Sequence, residues 1–147
     1  MGPWRNLYNW ILIIFNDFEK FAKIFDGFSI GSNDLTQLTL GIDRDSAIIS
    51  GLFSEQNEAA METIATMISK AKDAGVKIGL CGQAPSDFPE FAQFLVEQGI
   101  DSISFNPDAL LQGIENIKKA EIKSLKEHKT YQWKRFFTAQ KILSNLT

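Results

Sequence analysis

Apolar positions along the chain recur in two rhythms, and the switches between them mark the elements. Phe28 to Ile30 is a short extended signal. After it a helical spacing runs through Ala60, Ile64, Met67, Ile68 and Ala71, predicting a helix from about Glu55 to Ala74, with Ser54 as its cap and Gly75 just past its end. Val76 to Leu80 reads as a second strand. Cys81 to Asp87 is its loop, and a helix follows with Asp87 as cap, Pro89 in the first turn, Glu90 three residues past the cap and Gly99 beyond the end. Ile103 to Phe105 is a third strand, and Asn106-Pro107 opens a further helix whose expected buried stripe is Leu110, Leu111, Ile114 and Ile117. Asp43 to Ser54 reads as a loop.

The start of the chain is less decided. Trp4, Tyr8, Trp10, Phe15 and Phe18 surround an isoleucine-rich run that suits either a buried strand or the start of a helix, while Phe18, Phe21, Ala22 and Phe25 carry helical spacing from Asp17 to Phe25. Asp26-Gly27 ends that helix before the Phe28 strand. A strand-then-helix unit thus occurs three times, which predicts an α/β protein with a parallel sheet and right-handed crossovers.

Composition and charge narrow this further. The 147 residues, 44% hydrophobic and 22% charged, suit one globular core. The most apolar run, Trp10 to Phe15, is too short to span a bilayer, and no signal-peptide pattern precedes it, so no membrane role is expected. One cysteine allows no internal disulfide and fits a cytoplasmic setting. Charge divides the chain near Lys118: 7 Lys and Arg against 16 Asp and Glu precede it, and 8 against 2 lie from Lys118 onward. The expected parts are therefore a divergent segment over 1–20, a site-bearing unit over 21–117 and a basic tail over 118–147. In that tail Trp133, Phe136, Phe137, Gln140 and Leu143 have helical spacing. Packing on its own domain is the plain reading of such a helix, and no nucleic-acid signature supports another.

The chemistry concentrates in Phe28 to Arg44, FSIGSNDLTQLTLGIDR. A strand running at once into Gly-Ser-Asn-Asp can bring backbone amides to an anion while a carboxylate stays available to a metal. An ordinary strand-to-helix loop capped by Ser32 or Asn33 has the same look.

The longer stretch FDGFSIGSNDLTQLTLGIDRDS, together with GLCGQAPSD at Gly79 to Asp87 and the segment Pro89 to Asp108, resembles the phosphoenolpyruvate-utilising enzymes over roughly Phe21 to Ile117. Within that family the Gln83 to Asp87 wording is closer to the phosphoenolpyruvate synthases than to pyruvate phosphate dikinase or enzyme I of the sugar phosphotransferase system. The resemblance implies a (β/α)8 TIM barrel, of which Phe28 to Lys118 supplies the last three units, with ligands at the carboxyl ends of the strands. Three units leave open sheet edges.

The implied activity is phosphoryl transfer: ATP, pyruvate and water give AMP, phosphoenolpyruvate and phosphate. The resemblance also implies residue roles. Asp34 binds Mg²⁺; Asn33 and the amides of Ser32 to Asp34 hold the substrate's carboxylate and phosphate; Arg44 contacts the phosphoryl group; Cys81 carries a proton to and from the methylene carbon. Gln83, Ser86 and Asp87 read as loop and cap residues.

The sequence departs from the family pattern in places. Trp10, followed by Ile11 and Leu12, stands where the family has a second metal carboxylate, a glutamate followed by Ile-Pro. The one histidine, His128, lies in a lysine-rich stretch unlike the family's phosphohistidine motif, and no glycine-rich nucleotide loop is present. The expectation is a pyruvate- and phosphoenolpyruvate-binding C-terminal portion without turnover of its own, served by separate ATP-grasp and phosphohistidine domains. The alternatives are a non-catalytic module that completes its sheet against a partner chain, or a sister enzyme of the family, pyruvate phosphate dikinase or enzyme I. Oligomeric state is left open by the sequence.

Overall fold

A computed structural model describes residues 6–8 and 11–125. Four strands, β1 (Asn6–Tyr8), β2 (Gly27–Gly31), β3 (Lys77–Cys81) and β4 (Ser102–Ile103), form one sheet in the order β1-β2-β3-β4, and every neighbouring pair is parallel. The first of them answers the open question at the start of the chain: a strand comes first and then a helix, α1 (Ile11–Ala22).

Alternation along the strands sets the two faces of the sheet. Phe28 and Ile30 on β2, in register with Ile78 and Leu80 on β3, are buried in one cluster with apolar side chains of the crossover helices. Those partners come from α1 (Phe18), α2 (Ser32–Leu40; Leu35), α3 (Glu58–Asp73; Ile64, Met67, Ile68), α4 (Ala84–Asp87; Ala84) and α5 (Pro89–Gln98; Phe91, Leu95). Ser29, Gly31, Gly79 and Cys81 occupy the opposite face. Sequential parallel strands with helices gathered on one side make a singly wound α/β sheet.

Local chemistry accounts for most boundaries. Helix α1 begins earlier than the Asp17–Phe25 spacing predicts, is interrupted at Asp17 (φ −117°, ψ 19°), and docks through Phe18, whose ring lies 4.4 Å from that of Phe28. Helix α3 ends as expected, with Gly75 at φ 69° and Val76 N–H donating to Ala71 O at 3.0 Å. Its start differs. Asn57, not Ser54, is the cap: Asn57 Oδ1 accepts from Ala59 N at 3.0 Å, while Ser54 Oγ accepts from Gln56 N at 3.2 Å in the turn before it. Asp87 likewise does not cap α5. It closes the short α4, and Phe88 enters α5 in extended conformation with no side-chain cap, Pro89 sitting in the first turn.

The last described helix, α6 (110–125), turns a different face inward from the expected one. Leu110, Leu111 and Ile114 are 46%, 83% and 55% exposed, whereas Gly113 and Ala120 are buried and Ile117 is half-buried. The reason lies at Gly113: a Cβ there would stand 2.6 Å from two Phe105 ring carbons. Helix and ring approach so closely that only the small-residue face fits. Helix α6 also runs through residue 118 without a break. Among the described residues no helix is long and apolar enough to cross a membrane. Trp10, His128 and the aromatic spacing from Trp133 to Leu143 lie outside the described residues.

Candidate functional site

The site forms where β2 and β3 end side by side, Gly31 in register with Cys81. Gly31 leaves β2 extended (φ −87°, ψ 101°) and becomes the cap of α2, so Ser32, Asn33 and Asp34 form that helix's first turn, where its unsatisfied amides and positive dipole end lie. No side chain caps α2, so the plain reading of Ser32 or Asn33 as a helix cap is not what the fold uses.

Ser32 is buried under the β3 loop. Its hydroxyl lies 3.5 Å from Cys81 O and donates to the Glu55 carboxylate. One hydroxyl proton cannot serve both equally. The bond to the carboxylate is the charge-assisted one, and 3.5 Å is the outer limit for the other. What Ser32 offers outward is therefore its backbone. Gly82 lets the loop close this tightly: a Cβ there would overlap Ser32 Oγ and come within 3.3 Å of Glu55 Oε1.

Glu55 is a buried carboxylate of this candidate site that the sequence did not single out. It is only 8% exposed, and it receives hydrogen bonds from the Ser32 hydroxyl and from Ala84 N–H. Burial pushes its carboxyl above the ordinary range and Asp87 adds to this, opposed by those two hydrogen bonds and by Arg44. The Asn33 amide lies between Glu55 and Arg44. With its nitrogen toward Glu55, Nδ2 donates to Oε2 at 3.0 Å and Oε1 at 3.2 Å, and Oδ1 accepts from Arg44 Nη1 at 3.1 Å. The reverse orientation would face oxygen to carboxylate and NH₂ to guanidinium, so the assignment follows from the partners. A signal was there to find: Asn57 is at least as good a cap as Ser54, and starting α3 after it leaves Glu55 off the helix and free to turn inward.

Of the other expected residues, Arg44 stands in the loop after α2. Its backbone N–H donates to Gln37 Oε1 at 3.4 Å, its side chain is 46% exposed, and Asp45 lies 4.0 Å from its Nε. Cys81 is half-buried at the end of β3, and Ser29 Oγ donates to its sulfur at 3.7 Å across the strands. Ser32, Asn33 and Arg44 thus gather around Glu55, and Cys81 joins them through its carbonyl, 3.5 Å from the Ser32 hydroxyl. Asp34 is in the same helical turn but exposed. Among the described residues no group of three or more His, Cys, Asp and Glu could hold a metal ion. Asp34 fits Mg²⁺ only as a single carboxylate, in the manner of sites that draw their other ligands from water and substrate oxygens.

Comparison with known proteins bears on this geometry. The chain is 63% identical over 105 residues to a phosphoenolpyruvate synthase of Aquifex aeolicus, 58% over 103 residues to one of Synechocystis sp., and 54% over 94 residues to one of Escherichia coli. These matches cover 71%, 70% and 64% of this chain but only 12%, 13% and 12% of the relatives, so the chain spans about an eighth of their length. Residues 12–122 match the family described as PEP-utilising enzyme, PEP-binding domain, and the chain belongs to that family.

Proposed function

We propose that this chain is the pyruvate- and phosphoenolpyruvate-binding portion of a phosphoenolpyruvate synthase-like phosphotransferase, the overall reaction being ATP, pyruvate and water to AMP, phosphoenolpyruvate and phosphate. In this reading the four parallel strands are a segment of a (β/α)8 barrel, with the site at the carboxyl ends of its strands. The ATP-grasp and phosphohistidine functions come from domains outside this chain, and the setting is the cytoplasm.

The observation that carries the reading is the gathering of Asn33, Arg44 and Cys81 at the joined ends of β2 and β3. Arg44 presents a planar donor fork suited to a phosphoryl group or carboxylate, and its half-exposed side chain is reachable from solvent. The first-turn amides of α2 add donors and the positive end of a helix dipole. Cys81 is the group that gives a proton to the methylene carbon of the pyruvate enolate when phosphoenolpyruvate is consumed, and takes that proton from the methyl group in the synthetic direction. Mg²⁺, when held by Asp34 and substrate oxygens, neutralises charge on the enolate and phosphoryl oxygens.

The test is a calorimetric titration of the purified chain with oxalate, a mimic of the pyruvate enolate, in the presence of Mg²⁺, with Asp34→Ala as control. Metal-dependent binding that disappears in the variant is the expected result. A folded chain that takes up no oxalate overturns the reading for this chain and favours a non-catalytic module.

A further inference from the structure

We propose that Glu55 is a positioning residue for this site: its buried carboxylate fixes the Asn33 side-chain amide the one way round that hands Oδ1 to Arg44. The guanidinium is thereby held at the first turn of α2 before any ligand arrives.

An asparagine amide is nearly symmetric in shape and opposite in polarity at its two ends, so packing alone does not choose its orientation. Here two charges choose it. Glu55 takes both nitrogen-side contacts, at 3.0 and 3.2 Å, and Arg44 takes the oxygen at 3.1 Å. Arg44 belongs to a loop without regular structure between Gly41 and the short 3-10 turn Ser50–Leu52, and its nearest carboxylate, Asp45, is 88% exposed and 4.0 Å away. Such an exposed pair does little to order a long side chain. The Asn33 contact is the one that ties the guanidinium to a helix.

Glu55 itself is placed from four directions. Ser32 and Ala84 donate to its carboxylate. The next residue, Gln56, donates through Nε2 to Glu90 Oε1 on α5 at 3.0 Å, and Asn57 caps α3. The carboxylate is therefore anchored to α2, the β3 loop, α5 and α3 together, a rigid mounting for a group whose work is to orient another. A glutamine at 55 keeps an acceptor for Asn33 but turns an NH₂ toward one of the remaining donors; an alanine keeps nothing.

The consequence for binding rests on the proposed function, but the positioning itself can be read without a ligand. In the full-length labelled chain, the Asn33 side-chain amide pair is assigned by its disappearance in Asn33→Asp. In the wild type the two protons are expected well separated and slow to exchange. In Glu55→Ala the pair moves to solvent-like shifts and exchanges at least about tenfold faster, whereas Glu55→Gln keeps most of the wild-type signature. Phosphoenolpyruvate titrated into the same samples is expected to bind Glu55→Ala roughly three- to tenfold more weakly, the freedom of one long side chain having to be lost on binding, with Glu55→Gln between. An Asn33 pair unmoved in a folded Glu55→Ala overturns the proposal. If that variant does not fold, the wild type decides: Asn33 protons exchanging at the rate of an exposed amide overturn it equally. A wild type that ignores phosphoenolpyruvate sinks the functional reading of the site while the amide signature still judges Glu55.

Discussion

Replacing Gly82 with alanine tests how tightly the site is closed. The new Cβ would overlap Ser32 Oγ and lie 3.1 Å from Ser32 Cβ and 3.3 Å from Glu55 Oε1. Ser32 has no room to yield, because it is fully buried and its hydroxyl is engaged by Glu55. The β3 loop must move, at a strain of roughly 1–3 kcal/mol. If the hydroxyl is pushed off the carboxylate, a charge-assisted bond worth roughly 1.5–3 kcal/mol weakens as well. The two overlap, since relieving one spends the other, so the net loss is about 3 kcal/mol, or about 12 °C in Tm for a domain of this size. Urea and thermal melts read this directly. Gly51→Ala, whose Cβ meets nothing within 4 Å, is the control and should stay within about 0.5 kcal/mol of wild type. Ser32→Ala should cost less in the Gly82→Ala background than alone, because it removes the atom in conflict. A Gly82→Ala chain as stable as the control, or strict additivity in that cycle, would refute the argument.

Two further predictions concern titration. Burial works to raise the Asp101 carboxyl, but Lys77 Nζ at 2.6 Å and Ile78 N–H at 2.9 Å outweigh it and hold it below its ordinary value, so the stability it adds is present above about pH 3.8 and is lost as pH falls through the depressed value. Lys77 is 71% exposed, so Asp101→Asn should cost only about 1 kcal/mol at neutral pH and should flatten the acid limb of the urea midpoint; an acid limb as steep as wild type would contradict this. Glu55 has the opposite sign. Its folded-state carboxyl is raised from 4.5, so its contribution is fully present below pH 4.5 and declines as pH rises through the raised value. Relative to Glu55→Gln, the wild type should therefore lose stability as pH climbs through that window, and a difference that does not change with pH would contradict the burial of this carboxylate.

What the sequence made legible was local and periodic. The apolar alternation of Phe28, Ile30, Ile78 and Leu80, and the glycines that end α3 and α5 at φ 69° and 76°, announce strands and helix ends through interactions a few residues long. Where it failed, a distant partner decided. Leu110, Leu111 and Ile114 have a faultless helical stripe, yet Phe105 takes the Gly113 face and leaves them in solvent. Glu55 looked like the first residue of a helix until the choice between Ser54 and Asn57 as cap placed it outside. Its partners, Ser32, Asn33 and Ala84, all lie more than 20 residues from it in sequence. The motif residues Asn33, Arg44 and Cys81 were visible as a set, but the carboxylate beside Asn33 and Arg44 was not.

Core and site rest on one choice of register. Pairing Gly31 with Cys81 puts Phe28, Ile30, Ile78 and Leu80 beneath the helices, and the same pairing sets Ser29 and Cys81 together on the other face. Because side chains alternate with a period of two, a slip of β3 by one residue would turn Ile78 and Leu80 away from α3 and α5 and carry Cys81 to the helix side. The apolar energy that selects the fold therefore also selects the position of the thiol. The polar elements need no separate mechanism to find each other: once the register is set, the first turn of α2 lies against the β3 loop, Gly82 permits the contact, and the carboxylate delivered just before α3 accepts from both Ser32 and Asn33. A site assembled this way is mounted on the same strands and helices as the core, and its Asn33 amide offers an arginine from an irregular loop a partner fixed on a helix.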